Sequence, residues 1–100
     1  MNHSRLTLTL PPTLGSETVE VDTKRFSIGR TPENDLVIED TSLSRRHALI
    51  ENFEGRFNLS DCGSSNGTFV NGVKITAQSP QPLRPGDELN IGNTRFRFEA

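Results

Sequence analysis

The sequence is poor in cysteine, in long apolar runs and in excess positive charge. Its only cysteine, Cys62, excludes an internal disulfide framework and a zinc site of clustered Cys and His, so we expect a reducing, intracellular setting. The 11 basic and 13 acidic residues give a formal net charge of -2, which argues against broad attraction to nucleic acid or anionic lipid. No apolar run approaches the roughly 20 residues that span a bilayer, and no signal peptide is evident at the start. We therefore expect a soluble cytoplasmic protein that needs no metal and no other cofactor.

Helical periodicity is also lacking, and strict alternation takes its place. No stretch of 11 residues shows a clean 3.6-residue period, whereas "RLTLTL", "RFNLS" and "TRFRFE" alternate apolar and polar residues. A period of two is typical of strands with one buried face. Turn-forming pairs such as Asn71-Gly72 and Pro85-Gly86 separate these segments. The pattern predicts many short strands joined by tight turns, as in a sandwich or a barrel.

A chain of 100 residues can bury a core without disulfides or metals, so we predict a single domain over residues 1–100. The alternation places its strands near residues 5–10, 18–22, 26–29, 36–38, 48–52, 56–60, 68–70, 73–75, 81–83, 87–91 and 94–99.

Three loops are longer and more polar than a hairpin requires. They are "GRTPENDL" at 29–36, "EDTSLSRRH" at 39–47 and "SDCGSSNGT" at 60–68. In an all-β scaffold, binding and catalytic residues are concentrated in such loops.

Ser44 and His47 raise the possibility of catalysis, since a serine nucleophile requires a base within hydrogen-bond reach and a third group that orients the base. At positions i and i+3, at the entrance to a strand, the two side chains are expected to diverge. No G-x-S-x-G motif surrounds Ser44, and the other histidine, His3, lies near the terminus. A hydrolase is not favoured, and we interpret His47 as a buried residue that hydrogen-bonds the backbone.

Two Asn-Gly pairs occur within seven residues of each other. Asn71-Gly72 lies between "TFV" and "VKI" and predicts a type I′ hairpin turn. Asn66-Gly67 instead follows "GSS", which does not form a strand, and so belongs to a shaped loop. The Asn66 amide offers both a donor and an acceptor, which could clamp the backbone of an extended peptide. The alternative is that Asn66 only caps its own turn.

Taken together, these motifs resemble the forkhead-associated (FHA) domain. The "GR" at 29–30, the S-x-x-H within "SLSRRH", the "SNGT" and the following "NG" occur in the order and spacing of that family, and "LRPGDELNIG" continues the match. The resemblance covers a core of residues 26–98. It implies an all-β fold, an eleven-stranded, antiparallel-rich sandwich of the FHA and SMAD type, with ligand loops at one end. It also implies a phosphothreonine-binding module, which we expect to be part of a larger protein.

Carried onto this sequence, the resemblance assigns two sets of residues. The expected phosphopeptide contacts are Arg30, Ser44, Arg45, Ser65 and Asn66. The expected supporting residues are Gly29, His47, Gly67, Thr68 and Asn71. A phosphothreonine carries a charge of about -1.5 to -2, and guanidinium and hydroxyl groups can donate to its three oxygens.

The implied partner is a phosphothreonine-containing protein, which in turn implies an upstream Ser/Thr kinase, and we expect a monomer. An alternative is an FHA-like domain that binds proteins without phosphate, on one face of its sandwich. Arg30, Ser44 and Asn66 together favour phosphate binding.

Cys62 stands at a variable loop position, where we interpret it as a small, partly buried apolar residue.

Overall fold

A computed structural model describes residues 4–9, 16–21, 24–76 and 79–99. Within these residues the chain forms eleven strands and no helix. The strands are β1 (Ser4–Thr9), β2 (Ser16–Val21), β3 (Arg25–Gly29), β4 (Leu36–Val37), β5 (Ala48–Phe53), β6 (Arg56–Asp61), β7 (Thr68–Val70), β8 (Val73–Lys74), β9 (Gln81–Pro82), β10 (Glu88–Ile91) and β11 (Thr94–Glu99). The predicted bounds agree to within two residues. Residues 10 and 22, at the predicted ends of the first two strands, and His3 lie outside the described residues.

The strands assemble into two sheets. The larger sheet has the order β2-β1-β11-β10-β7-β8, and the smaller has the order β4-β3-β5-β6-β9. Among the strand pairs that the described residues form, only β3 and β4 are parallel. The predicted all-β, antiparallel-rich sandwich is confirmed. The described residues contain no helix that could span a membrane.

The core lies between the sheets and follows the alternation of the sequence. On β11, Phe96 and Phe98 are buried while Arg95 and Arg97 are exposed. Burying a large apolar side chain of this kind stabilises a fold by about 1.5 to 3 kcal/mol. The buried apolar side chains of both sheets are Val21, Phe26, Ile28, Leu43, Ala48, Ile50, Phe57, Leu59, Val70, Ile75, Leu83, Leu89, Ile91, Phe96 and Phe98.

Tight turns keep the hairpins in register. Asn71 and Gly72 have φ values of 50° and 83°, so both central positions of the β7–β8 turn are left-handed. Two positive φ angles are the requirement of a type I′ turn, and the prediction made from the Asn-Gly pair is confirmed. Glu54 and Gly55 make the same kind of turn between β5 and β6, with φ values of 53° and 84°.

This topology gathers the long polar loops at one end of the sandwich. They are the β3–β4 loop (30–35), the β4–β5 loop (38–47) and the β6–β7 loop (62–67), joined by the short β10–β11 turn at Gly92 and Asn93. Hydrogen bonds connect the β4–β5 loop to each of the other three segments. We call these four segments the loop cluster.

Candidate functional site

Arg30 opens the β3–β4 loop and is attached twice to the β4–β5 loop. Its backbone N–H donates to the carbonyl of Ser44 at 3.1 Å, and its Nε donates to the carbonyl of Leu43 at 3.0 Å. The side chain is exposed, and its Nη atoms have no partner among the described residues. The guanidinium is therefore held beside Ser44 with its outer donors available.

Gly29 allows the two loops to approach each other this closely. A Cβ at this position would lie 2.1 Å from the carbonyl oxygen of Arg45 and 2.6 Å from Nδ2 of Asn34, so any side chain would force the backbone apart. The buried Asn34 amide donates to that same Arg45 carbonyl at 2.7 Å. Asn34 was not predicted as a site residue, although an Asn in a long loop often forms hydrogen bonds from its side chain to the backbone.

Ser44 links the β4–β5 loop to the β6–β7 loop. Its Oγ accepts the backbone N–H of Ser65 at 3.0 Å. Because the oxygen is the acceptor in this bond, the hydroxyl proton is still available as a donor to a ligand. The structure thus brings Arg30, Ser44 and Ser65 together, as the family resemblance implied.

His47 is buried, with 0% of its surface exposed, and both ring nitrogens bond to the backbone. Nδ1 accepts the N–H of Ser44 at 3.1 Å, and Nε2 lies 2.8 Å from the carbonyl oxygen of Gly67. A backbone N–H can only donate and a carbonyl can only accept, so these partners assign a neutral ring with its proton on Nε2. The predicted burial and backbone bonding of His47 are confirmed. With both nitrogens engaged in this way, the ring cannot act as a base for the Ser44 hydroxyl.

Asn66 bridges two loops through its side chain. Its Nδ2 donates to the carbonyl of Ser42 at 2.7 Å, and the Ser42 hydroxyl accepts the N–H of Asn93 at 2.8 Å. Asn66 Oδ1 has no partner within the described part of the chain. The amide thus keeps its acceptor, and one of its two protons, for a ligand. No signal in the sequence placed the Gly92-Asn93 turn next to Ser42.

Asp61, at the end of β6, organises the backbone of the β6–β7 loop. Its carboxylate accepts the N–H groups of Gly63 at 2.9 Å and Ser64 at 3.0 Å, together with the hydroxyls of Ser64 and of the buried Thr68. Burial, the largest single influence, raises the pKa of Asp61, but the hydrogen bonds from Ser64, Thr68 and Gly63 together lower it below its ordinary value. Thr68 was expected to support the site, whereas Asp61 was missed.

The two arginines that follow Ser44 differ in their surroundings. Arg45 is exposed and forms no ion pair among the described residues, whereas Arg46 Nε lies 3.9 Å from Oε1 of Glu33. Both partners of this pair are largely exposed, so it contributes little to stability.

Cys62 is exposed, so its interpretation as a partly buried apolar residue was wrong.

Asn71 lies away from the loop cluster, at the far end of β7. Its side chain donates to Oδ1 of Asp87 and accepts the N–H of Glu88, both at 3.0 Å. These bonds join the β7–β8 turn to the start of β10. Any support that Asn71 gives to the site must therefore act through the length of β7.

Comparison with known protein families identifies the family to which this chain belongs. The family model of the FHA domain matches residues 26–92, and the chain belongs to the FHA family, whose members read phosphorylated motifs.

Two kinds of curated relative illustrate the similarity. An oxoglutarate dehydrogenase inhibitor of Corynebacterium glutamicum is 41% identical over 80 residues, which are 80% of this chain and 54% of that protein. The glycogen accumulation regulator GarA of Mycobacterium tuberculosis is 38% identical over 87 residues, 87% of this chain and 51% of that protein. The chain thus spans about half the length of the curated relatives it matches.

Solved structures agree with the family assignment. The FHA domain of a Chlamydia trachomatis protein superposes with a TM-score of 0.89 at 26% identity, covering 99% of this chain and 98% of that one. EmbR of Mycobacterium tuberculosis, in complex with a low-affinity phosphopeptide, superposes with a TM-score of 0.87 at 27% identity. That match covers 99% of this chain and 24% of EmbR.

Proposed function

We propose that this domain binds phosphothreonine-containing segments of other proteins and thereby recruits phosphorylated partners in signalling. One observation carries the proposal. The Arg30 guanidinium is attached to the carbonyl of Leu43, directly before Ser44, and both the guanidinium and the Ser44 hydroxyl retain free donors. A cation and a hydroxyl held side by side match the charge and the acceptor oxygens of a phosphate.

Each contact residue has a role that its chemistry allows. Arg30 provides the main counter-charge and can grip two phosphate oxygens with its planar fork. Ser44 donates its hydroxyl proton to a third oxygen, and the exposed Arg45 adds a second cation. Ser65 and Asn66 hold the phosphoresidue and the neighbouring peptide backbone, with the Asn66 carbonyl accepting a peptide N–H.

The supporting residues act before the ligand arrives. Gly29 lets the first two loops pack closely, and His47 connects the second loop to the third. Gly67 supplies the carbonyl that His47 contacts, and the Thr68 hydroxyl anchors the third loop to Asp61. Because these contacts hold the loops in position, less conformational entropy is lost when a peptide binds.

The relatives suggest what kind of partner to test first. Proteins named as oxoglutarate dehydrogenase inhibitors share 41% identity with this chain, so that enzyme is our first candidate partner. We propose that the domain is a non-catalytic, cytoplasmic monomer whose ligand is generated by a Ser/Thr kinase.

The test is titration of a phosphothreonine peptide library, with the dephosphorylated peptides as controls. Arg30→Ala should weaken binding by at least about 1.5 to 3 kcal/mol, roughly 10- to 150-fold, because the phosphate loses its main counter-charge. Arg30→Lys should restore only part of the affinity. Arg56→Ala, an exposed arginine at the opposite end of β6, is the matched control and should bind normally.

Two outcomes would contradict the proposal in different ways. Near wild-type binding by Arg30→Ala would show that the phosphate lies elsewhere. Equal binding of phosphorylated and dephosphorylated peptides would instead favour the phosphate-independent alternative.

A further inference from the structure

The outer face of the larger sheet carries a row of side chains beside the loop cluster. The strand register places Arg95, Asn90, Phe69 and Lys74 next to one another across β11, β10, β7 and β8. Arg95, Asn90 and Phe69 each have buried neighbours along their strands, and Lys74 is the cross-strand partner of Phe69, so these four side chains point outward. The row lies close to the loops, because β7 begins directly after the β6–β7 loop and β10 ends directly before Gly92.

Lys74 is the member of this row that reaches the loop cluster. A Cβ built on Gly67 would lie 3.2 Å from Cε of Lys74 and 3.2 Å from the ring of Phe69. The last carbon before the ammonium therefore lies against Gly67, the residue that follows Asn66. The charge is thus adjacent to the loop that we assign to peptide binding.

The ammonium of Lys74 is unpaired among the described residues. Lys74 is exposed, forms no ion pair within the described part of the chain, and shares its row with no acidic residue. Its Cε lies against Gly67, and Phe69 is its cross-strand partner, so pairing with a ligand would cost less side-chain entropy than for a freely moving lysine.

We infer that Lys74 is a specificity-determining residue that favours phosphopeptides with an acidic side chain near the phosphothreonine. This inference rests on the proposed function. Ser44 contacts the β6–β7 loop at Ser65, and Lys74 contacts it at Gly67, two residues further along. An extended peptide advances about 3.3 Å per residue with alternating side chains. The preference should therefore occur on one side of the phosphothreonine, at one position or at two alternate positions.

The experiment compares matched peptides that carry Asp or Asn at each of roughly four positions on either side of the phosphothreonine. They are titrated against the wild-type protein, Lys74→Gln, Lys74→Arg and Lys74→Glu. Lys24→Gln is the matched control, because Lys24 is the other lysine of the chain and lies exposed directly before β3, away from the loop cluster.

The wild type should prefer Asp over Asn at the selected position by about two- to fivefold, as for an exposed ion pair. Lys74→Gln should abolish that preference and Lys74→Arg should retain it. Lys74→Glu should reverse it and favour Asn over Asp, while Lys24→Gln should leave it unchanged. Added salt should reduce the preference through screening.

The outcomes separate this inference from the proposed function. If phosphopeptides bind but no position prefers Asp, or if the preference survives in Lys74→Gln, the inference is wrong and the proposed function stands. If no phosphothreonine peptide binds the wild type, both fail. Thermal unfolding of each variant confirms that the exposed substitutions leave the fold intact.

Discussion

The Nε2 atom of His47 lies 2.8 Å from the carbonyl oxygen of Gly67. His47 stands at the entrance to β5 and Gly67 directly before β7, so this contact joins the two sheets at the loop end of the sandwich. Through Nδ1 the same ring also holds the N–H of Ser44. Ser44, a proposed ligand contact, and Gly67, a proposed supporting residue, thus depend on one buried side chain.

Replacing His47 should reduce stability before it alters specificity. His47→Ala leaves the partly buried Ser44 N–H and the buried Gly67 carbonyl without partners, at up to about 1 to 3 kcal/mol for each group. For a domain of this size the melting temperature falls by about 4 to 8 °C per kcal/mol. Thermal unfolding and peptide titration would measure both effects. An unchanged melting temperature combined with lost binding would instead make His47 a ligand contact.

Gly29→Ala should disrupt the site by a steric route. The added Cβ would meet the Arg45 carbonyl at 2.1 Å, so the β4–β5 loop must move, and overpacking of this kind costs roughly 1 to 3 kcal/mol or more. Gly55→Ala is the control, because its Cβ would meet nothing within 4 Å and its cost comes only from a φ of 84°. Both variants should lose stability, but only Gly29→Ala should weaken phosphopeptide binding. Equal effects of the two variants on binding would contradict this explanation.

Because of Asp61, the free energy of unfolding should depend on pH in the acidic range. Its pKa is lowered in the folded state, so its contribution is present at neutral pH, declines near the ordinary value of 3.8 and is lost as the pH falls through the lower, folded value. Asp61→Asn should lower stability at neutral pH by about 1 to 3 kcal/mol, because the amide cannot accept all four donors. Its unfolding free energy should also change less between neutral and acidic pH. Denaturant titrations across that range test this, with the exposed Glu39→Gln as a control that should behave like the wild type.

The domain should prefer phosphothreonine over phosphoserine. If the methyl group enters a closed niche between the loops of Ser44 and Asn66, its transfer contributes about 0.8 kcal/mol, near fourfold, and a well-fitted pocket contributes roughly 1 to 3 kcal/mol. Both phosphoresidues carry the same charge, so the preference should persist in added salt while overall affinity falls. Affinities for a matched peptide pair at low and high salt test this. Equal affinities would mean that no methyl pocket exists.

Much of the fold could be predicted because its signals are local. Alternation in "TRFRFE" arises from the pleat of a single strand, and the Asn71-Gly72 turn needs only its own two positive φ angles. The site could be predicted only in part. The resemblance pointed to Arg30 and Ser44, but it did not indicate that the Arg30 guanidinium is attached to the carbonyl of Leu43.

By itself, the sequence determined the period of two, the turns and therefore an all-β chain with three long polar loops. Tertiary structure alone decided which of these loops meet. It placed Asn93 against Ser42, 51 residues away in the chain, and it exposed Cys62, which was interpreted from the sequence as partly buried. It also brought the stem of Lys74 to Gly67. The physical reason is that backbone conformation follows from neighbouring residues, whereas strand pairing and loop contacts depend on how two complete sheets pack around a shared core.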